Sequence, residues 1–471
     1  MPISPAYRPD PRYAALGPEF ADPVKPAVFP EQIIRFRNDR VAATVGLEAL
    51  DDTEWRRAFA DFQAMPDNQP EPLAMRYHGH QFRHYNPYIG DGRGFLFGQV
   101  REAGSDRLLD FGTKGSGQTP HSRTADGRLT LKGGVREVLA AEMLEALGVP
   151  TSRAFSLIET GEELWRNDEP SPTRGAVLTR LSHSHIRFGS FQRHAYEERP
   201  DLVRILAEHV LETYYPDAVE EGPAGLFRRV VGRSAKLAAR WMAAGFVHGV
   251  LNTDNLNLTG ESFDYGPYRF LPHNDPHFTA AYFDEQGLYS FARQPEAVFW
   301  NLQQLAGALS TVAESDPLVE ALNGYSEAYR DALAAAVVNR LGLKSLSQEA
   351  DVALANVAFR ALGEGGEALR WEPFFFDWFG GAASESRALG GPRVGLYDGE
   401  AFKALRTAFE SYEPDRPERL EQGYFARPEP EELLYPENEA IWARIAEADD
   451  WSAFENKIAR IGAAREAMRL A

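Results

Sequence analysis

The sequence predicts an α+β chain in two parts, a small β-rich unit followed by a larger helical one. Three observations carry this. Between residues 71 and 190, apolar runs of strand length, bounded by glycines and polar turns, surround one strongly striped helix. From 191 to 365 the apolar pattern is mostly helical. The stretch Gly245 to Pro267, dense in polar side chains, interrupts those helices, which places the best ligand cleft between the two parts.

Residues 1–70 hold short helical pieces, VAATVGLEAL and TEWRRAFADF, among Pro and Asp, and read as an extension packed on the body. GFLFGQV and RLLDFGTKG read as paired strands joined near Gly104, Ser105 and Asp106. In VREVLAAEMLEALG, Val135, Leu139, Met143 and Leu147 recur every four residues as one apolar stripe, and Gly148 and Pro150 stop the helix. AFSLIET and GAVLTRL return to strand. DLVRILAEHVLETYY, AGLFRRVVGRSAKLAARWMAAGF, EAVFWNLQQLAGAL, DPLVEALNGYSEAYRDALAAAVVNRLGL and QEADVALANVAFRAL are helical stretches. Residues 366–471 contain Phe374, Phe375, Phe376, Trp378 and Phe379, read as buried packing because no basic residue interleaves with them, and then closing helices.

At 471 residues the chain has room for two or three ordinary domains or one large two-lobed unit. Its 44% hydrophobic content can bury a sizeable core. A net charge of −19 argues against a nucleic-acid-binding surface, so any anionic ligand must meet a local cluster of Lys, Arg or metal. The chain has no cysteine, which excludes disulfides, thiolate metal sites and cysteine redox switching. The first residues lack an apolar signal core and no run is long enough to span a bilayer, so a cytoplasmic location, away from membranes, is expected.

Within Gly245 to Pro267, His248, Asp254 and Asn255 precede Asp264-Tyr265-Gly266, and the mixture reads as a tight loop followed by a small hairpin. A carboxylate and an amide oxygen held close together suit a hard cation such as Mg²⁺, with other positions left for phosphate and water. The order is similar to the kinase pattern H-R-D-x-x-x-x-N followed by D-F-G, with His248 seven residues before Asn255 as in that loop. The kinase base would fall at Val250, which cannot accept a proton, whereas an acid stands at Asp254. A nucleotide site of this kind would differ in chemistry from ordinary γ-phosphoryl transfer. An Asp/Asn-rich turn is the alternative reading.

Other residues fit the same chemistry. Gly90, Gly92 and Arg93 lie in a glycine-rich turn entering a strand, where backbone N–H groups can approach phosphate, although a tight hairpin explains the glycines equally well. Lys114 ends a strand and Glu137 lies on the striped helix 23 residues later, the device by which kinases aim an ammonium group at phosphates. Residues 119–128, TPHSRTADGR, are too dense in donors for a neutral linker. Arg180 and Arg187 bracket HSHI, and arginine suits bidentate phosphate contacts; surface ion pairs are the alternative. His78, His80 and His84 invite a zinc reading, but no carboxylate or thiolate partner stands at ligand spacing.

Assembled, these residues make the chain resemble the selenoprotein O family, protein-kinase-like enzymes that transfer AMP from ATP to protein hydroxyls. The resemblance runs from about Met75 to Leu309. It rests on HGHQF with GDGR, TKGSGQTPHSRTADGR, REVLAAEMLEALGVPTSRA, IRFGSF, the Gly245–Pro267 stretch and RQPEAVFWNLQQLA, in the family's order. It implies a kinase-like fold with a β-rich N-lobe and a helical C-lobe, in which Gly90, Gly92, Arg93, Lys114, Asp126, Gly127, Arg180, Arg187 and Asp264 bind ATP. It further implies that Glu137 orients Lys114, that Asn255 and Asp264 hold Mg²⁺ or Mn²⁺, and that Asp254 takes the proton of the attacking hydroxyl. The family's nucleotide lies reversed relative to kinases, which agrees with Val250.

The chain also departs from the family. Lacking cysteine, it has no counterpart of the Cys- or selenocysteine-containing tail, so redox control through its ENKIARIGAAREAMRLA end is not expected. His121 stands where Tyr is usual, Arg83 replaces a small residue after HQF, and the C-terminal third matches only loosely. Two alternatives stay open at this point: a γ-phosphoryl-transferring kinase using Asp254 as a displaced base, and a non-catalytic ATP-binding pseudokinase scaffold. The sequence does not fix the protein acceptor, ATP against UTP as donor, Mg²⁺ against Mn²⁺, or the oligomeric state.

Overall fold

The apolar runs of the first part pair into an antiparallel sheet. In a computed structural model, which describes residues 3–167 and 169–470, the strands there are β1 (Ala21–Pro23), β2 (Ile33–Arg37), β3 (Leu73–Met75), β4 (Gly79–Gln81), β5 (His84–Asn86), β6 (Leu96–Arg101), β7 (Leu108–Lys114), β8 (Leu129–Thr130), β9 (Arg153–Leu164) and β10 (Thr173–Ser182). Their order is β1-β3-β6-β7-β10-β9-β2, with β8 also on β10, while β4 and β5 form a separate ladder. The expected β6–β7 pair runs from Leu96 opposite Gly112 to Arg101 opposite Leu108, around the turn that holds Gly104.

Residues assigned to an N-terminal extension supply both edge strands of this sheet, β1 and β2. Between β2 and β3 come α1 (Asp39–Thr44) and α2 (Asp52–Phe59), the latter started by a capping box of Asp51 and Glu54. Trp55 of α2 stacks on Phe155 of β9, while Phe59 meets Phe155 edge-on and also contacts Phe111 of β7. These rings make one face of the sheet a core.

Against the sheet packs α3 (Leu131–Ala146), capped where Thr130 Oγ1 accepts from Gly133 N at 3.1 Å. The stripe Val135, Leu139 and Met143 is buried, but so are Val138, Ala141 and Leu144. The helix is enclosed on several sides, because α15 (Ser452–Met468) packs on it as well as β9. Gly148 takes φ +74° just after it, the left-handed stop expected of a glycine there.

The second part is helical: α4 (Phe188–Tyr196), α5 (Pro200–Tyr214), α6 (Gly222–Ala243), α7 (Gln294–Leu309), α8 (Ser315–Asn323), α9 (Tyr325–Arg340) and α10 (Gln348–Gly365). The stretch 316–343, read as one helical run, is two helices that part at Gly324, a residue that disfavours helix interiors. After these come α11 (Trp371–Asp377), α12 (Glu385–Gly390), α13 (Glu400–Phe409) and α14 (Tyr435–Ala448). The aromatic cluster at Phe374 to Phe379 is buried, as expected. Among the described residues no helix is long and apolar enough to cross a membrane.

The polar loop differs from its reading in one respect. No hairpin follows it; instead β11 (Phe246–Val247) and β12 (Arg269–Phe270) pair antiparallel and clamp its two ends. Leu251, Leu256 and Leu258 are buried anchors, and residues Thr253–Asn255 form a single helical turn. The short apolar residues therefore pin a loop rather than alternate along strands.

Candidate active site

Lys114, the last residue of β7, donates from Nζ to both Glu137 Oε1 on α3 and Asp264 Oδ1 in the clamped loop. Lys114 is 5% exposed and Glu137 4%, so each charge needs its partner to be tolerated there. Arg180 of β10, the strand beside β7, brings Nη1 to 3.6 Å from Asp264 Oδ1 and 3.8 Å from Glu137 Oε2. Asp264 has φ +67°, a left-handed backbone rare outside glycine and Asn/Asp. Burial pushes its carboxyl up, but Lys114, Arg180 and Arg187 outweigh burial and hold it well below the usual carboxylate range. The sequence-predicted Lys114, Glu137, Asp264 and Arg180 thus form one cluster.

Arg187, buried at the start of α4, joins that cluster to the rest of the loop. Its Nη1 donates to Asp254 O at 2.6 Å and its Nη2 to Asp91 Oδ1 at 3.3 Å. The guanidinium lies over the rings of Tyr77 and Phe263, 4.5 and 4.9 Å from their centroids, and Arg180 lies 5.8 Å from Phe263 on the same account. Asp254 is buried, and its Oδ1 has no hydrogen-bond partner among the described residues. Burial pushes its pKa up to about 6, with Arg187 opposing. Asn255 Nδ2 donates to Val250 O at 3.0 Å, which leaves the amide oxygen as its metal-type donor. His248 is a neutral strut: burial lowers its pKa, and Nε2 bonds Phe263 O at 2.9 Å.

The glycine turn has a packing cause that its sequence did not reveal. A Cβ on Gly90 would stand 2.5 Å from the His121 ring, and one on Gly92 3.0 Å from His121 O. Both glycines admit the segment that begins at Thr119, whose Ser122 Oγ donates to Gly92 O while His121 Nε2 bonds Asp22 Oδ2 at 2.9 Å. Asp126 accepts from Arg166 Nη1 at 2.7 Å and from Arg128 N at 2.9 Å. Gly127 has φ +70°, and a Cβ there would meet the Gly117 carbonyl carbon at 2.3 Å.

A cavity of about 740 Å³ opens beside the cluster, lined among others by Arg93, Lys114, Glu137, Arg128, Arg166 and Gly266. Asp126 lines a separate hollow of about 500 Å³ with Arg128. Asn255, Asp126 and Gly127 share no hydrogen bond with Lys114 or Asp264 among the described residues. Asp91, Tyr77 and Phe263, which hold the two arginines, went unassigned in the sequence. The three histidines of HGHQFRH take no part: His78 Nδ1 bonds Tyr85 OH at 2.9 Å, His80 Nδ1 bonds Gln192 Nε2 at 2.8 Å, and His84 is exposed. Among the described residues no three His, Asp or Glu gather as a metal cluster.

The chain thus joins a buried lysine, two arginines and an aspartate in one charged cluster, and Lys114 and Glu137 of that cluster also line a basic cavity, an arrangement suited to a charged donor. Residues 6–462 match the family described as Protein adenylyltransferase SelO, and the chain belongs to that family. Three proteins named protein nucleotidyltransferase YdiU are similar along nearly their whole length. That of Synechocystis sp. is 45% identical over 96% of this chain and 97% of its own. That of Trichodesmium erythraeum is 43% identical over 96% and 98%, and that of Gloeobacter violaceus 46% over 96% and 94%. The chain is therefore an enzyme of the protein nucleotidyltransferase class, and such an enzyme requires a nucleotide and a protein as substrates.

Proposed function

We propose that the chain transfers AMP from ATP to Ser, Thr or Tyr hydroxyls of proteins, with UTP and UMP as the alternative donor pair. The observation that carries this reading is Asp254: a buried carboxylate whose Oδ1 has no hydrogen-bond partner among the described residues, next to Asn255, where Val250 has removed the kinase base. Its pKa of about 6 suits a proton acceptor near neutral pH.

In the reaction, Asp254 takes the proton of the acceptor hydroxyl as its oxygen bonds to the α-phosphorus. The bond from that phosphorus to the bridging oxygen breaks, and its electron pair leaves with pyrophosphate. Lys114, fixed by Glu137, neutralises phosphate charge together with Arg93, Arg180 and Arg187, so these donors are in place before charge develops. Gly90, Gly92, Asp126 and Gly127 shape the phosphate-facing turns. Asn255 and Asp264 would hold Mg²⁺ or Mn²⁺. The donor set fits a hard cation: the Asn255 amide nitrogen is committed to Val250 O, and no hydrogen bond reaches Asp264 Oδ2 among the described residues. A divalent cation bound there supplies charge stabilisation on the transferring phosphoryl group and on pyrophosphate.

The same reading takes the architecture as kinase-like, with residues 71–190 as the smaller lobe, 191–365 as the larger, 1–70 as an extension and 366–471 as a C-terminal helical region. What supports it is the trio of strand lysine, helix glutamate and loop aspartate in kinase order. A cytoplasmic setting goes with it. The mass of an acceptor protein incubated with the enzyme, ATP and Mg²⁺ tests the proposal: gain of an adenylate group is expected, and gain of a phosphate group overturns it.

A further inference from the structure

Seven basic side chains line the 740 Å³ cavity, and they divide by whether a carboxylate answers their charge. Glu137 and Asp264 hold Lys114, Glu162 holds Arg128, Asp126 holds Arg166, and Glu439 holds Lys132. Arg93, Arg136 and Arg269 make no ion pair among the described residues. Glu137 and Glu169 also line the cavity, and Glu137 is paired with Lys114, so these three guanidiniums are the ones placed to take an external anion.

Arg136 and Arg269 also sit together. Arg269 lies 3.8 Å from the centroid of Tyr435, and Arg136 lies 5.8 Å from the same ring. Arg136 Nε and Nη2 are buried with no hydrogen-bond partner among the described residues, and Arg269 spends Nη1 on Tyr268 O at 2.7 Å. Burial, and next the neighbouring Arg136, lower the pKa of Arg269 from its ordinary value. Glu439 is the acid that acts on Arg269, but it is ion-paired to Lys132, so the two guanidiniums crowd each other with no carboxylate paired to either among the described residues.

We propose that Arg136 and Arg269 are the seat of the diphosphate end of the donor nucleotide, and of pyrophosphate once it is released. This rests on the AMP transfer proposed above. Planar guanidinium forks match phosphate oxygens bidentately, and the cavity is of the size that holds a nucleotide. Lys114 lines the same cavity, so a triphosphate whose α-phosphorus lies near the Lys114–Asp264 pair extends its other phosphates toward the two arginines. Tyr435 begins α14, which Glu439 ties to Lys132 on α3 at 2.7 Å, so the C-terminal region walls this end of the site. Arg136 and Arg269 act here as binding residues for the leaving group.

Calorimetric titration of the full chain with inorganic pyrophosphate, and separately with AMP, in the presence of Mg²⁺ tests the assignment. Arg136→Gln and Arg269→Gln, each checked for unchanged thermal unfolding, are expected to weaken pyrophosphate binding by about tenfold or more, as loss of a charged hydrogen bond does, while AMP affinity stays within about twofold. Arg269→Lys is expected to recover part of the loss. Unchanged pyrophosphate affinity in both glutamine variants overturns the inference even if adenylate is transferred. Pyrophosphate binding that follows the arginines, with phosphate rather than adenylate on the acceptor, keeps the anion site and overturns the AMP reading alone.

Discussion

Arg187 holds Asp254 by its main chain: Nη1 reaches the carbonyl oxygen at 2.6 Å, while Nη2 reaches Asp91 Oδ1 at 3.3 Å. One buried guanidinium therefore ties the glycine turn to the loop that carries the proposed base, and it does so without using the base's own carboxylate. Asp254 Oδ1 is left without a hydrogen-bond partner among the described residues.

Asp254→Asn should for that reason spare the loop. The Arg187 contact survives, and nucleotide affinity by calorimetry should change by less than about threefold. The turnover rate should fall by about 10²-fold or more, the usual worth of a positioned proton acceptor. A variant with wild-type turnover would remove Asp254 from the mechanism.

Lys114→Met should act on stability and binding together. It leaves Glu137, 4% exposed, facing Asp264 with its main counter-charge gone. Breaking a buried pair by removing one partner costs about 3–5 kcal/mol, which urea unfolding will read directly. Glu137→Gln keeps a hydrogen-bond acceptor for the ammonium, so it should lose less stability while raising the KM for ATP.

Gly90→Ala probes the packing of the turn. Its methyl group would stand 2.5 Å from a His121 ring that Asp22 already fixes. Overpacking of this kind costs about 1–3 kcal/mol, measurable as a lower midpoint in denaturant. Adding His121→Ala should return part of that loss, and a double variant no better than Gly90→Ala would show that the clash is not with the ring.

Much of the candidate cluster is legible in the sequence because its chemistry coincides with local pattern. Lys114 closes an apolar strand run and Glu137 lies on the helix that carries an apolar stripe, so both stand on elements that periodicity defines. Arg180 and Arg187 are read from the sequence as phosphate-binding arginines, but what holds them is not legible there, because it is remote: Phe263 lies 76 or more residues away and Asp91 is on another turn. Arg136 and Arg269 escaped notice for the same reason, one on the polar side of a striped helix and one on a two-residue strand. β1 and β2 were hidden because three- and five-residue edge strands are too short to show alternation. The hairpin expected after the loop failed because Leu251, Leu256 and Leu258 are buried by contacts the neighbouring sequence does not reveal.

ATP carrying label at either the α- or the γ-phosphorus, incubated with the enzyme, Mg²⁺ and a protein acceptor, tests the chemistry most directly. Incorporation of α-label into protein, lost in Asp254→Asn, is the predicted result. Incorporation of γ-label, with none from the α position, would contradict it.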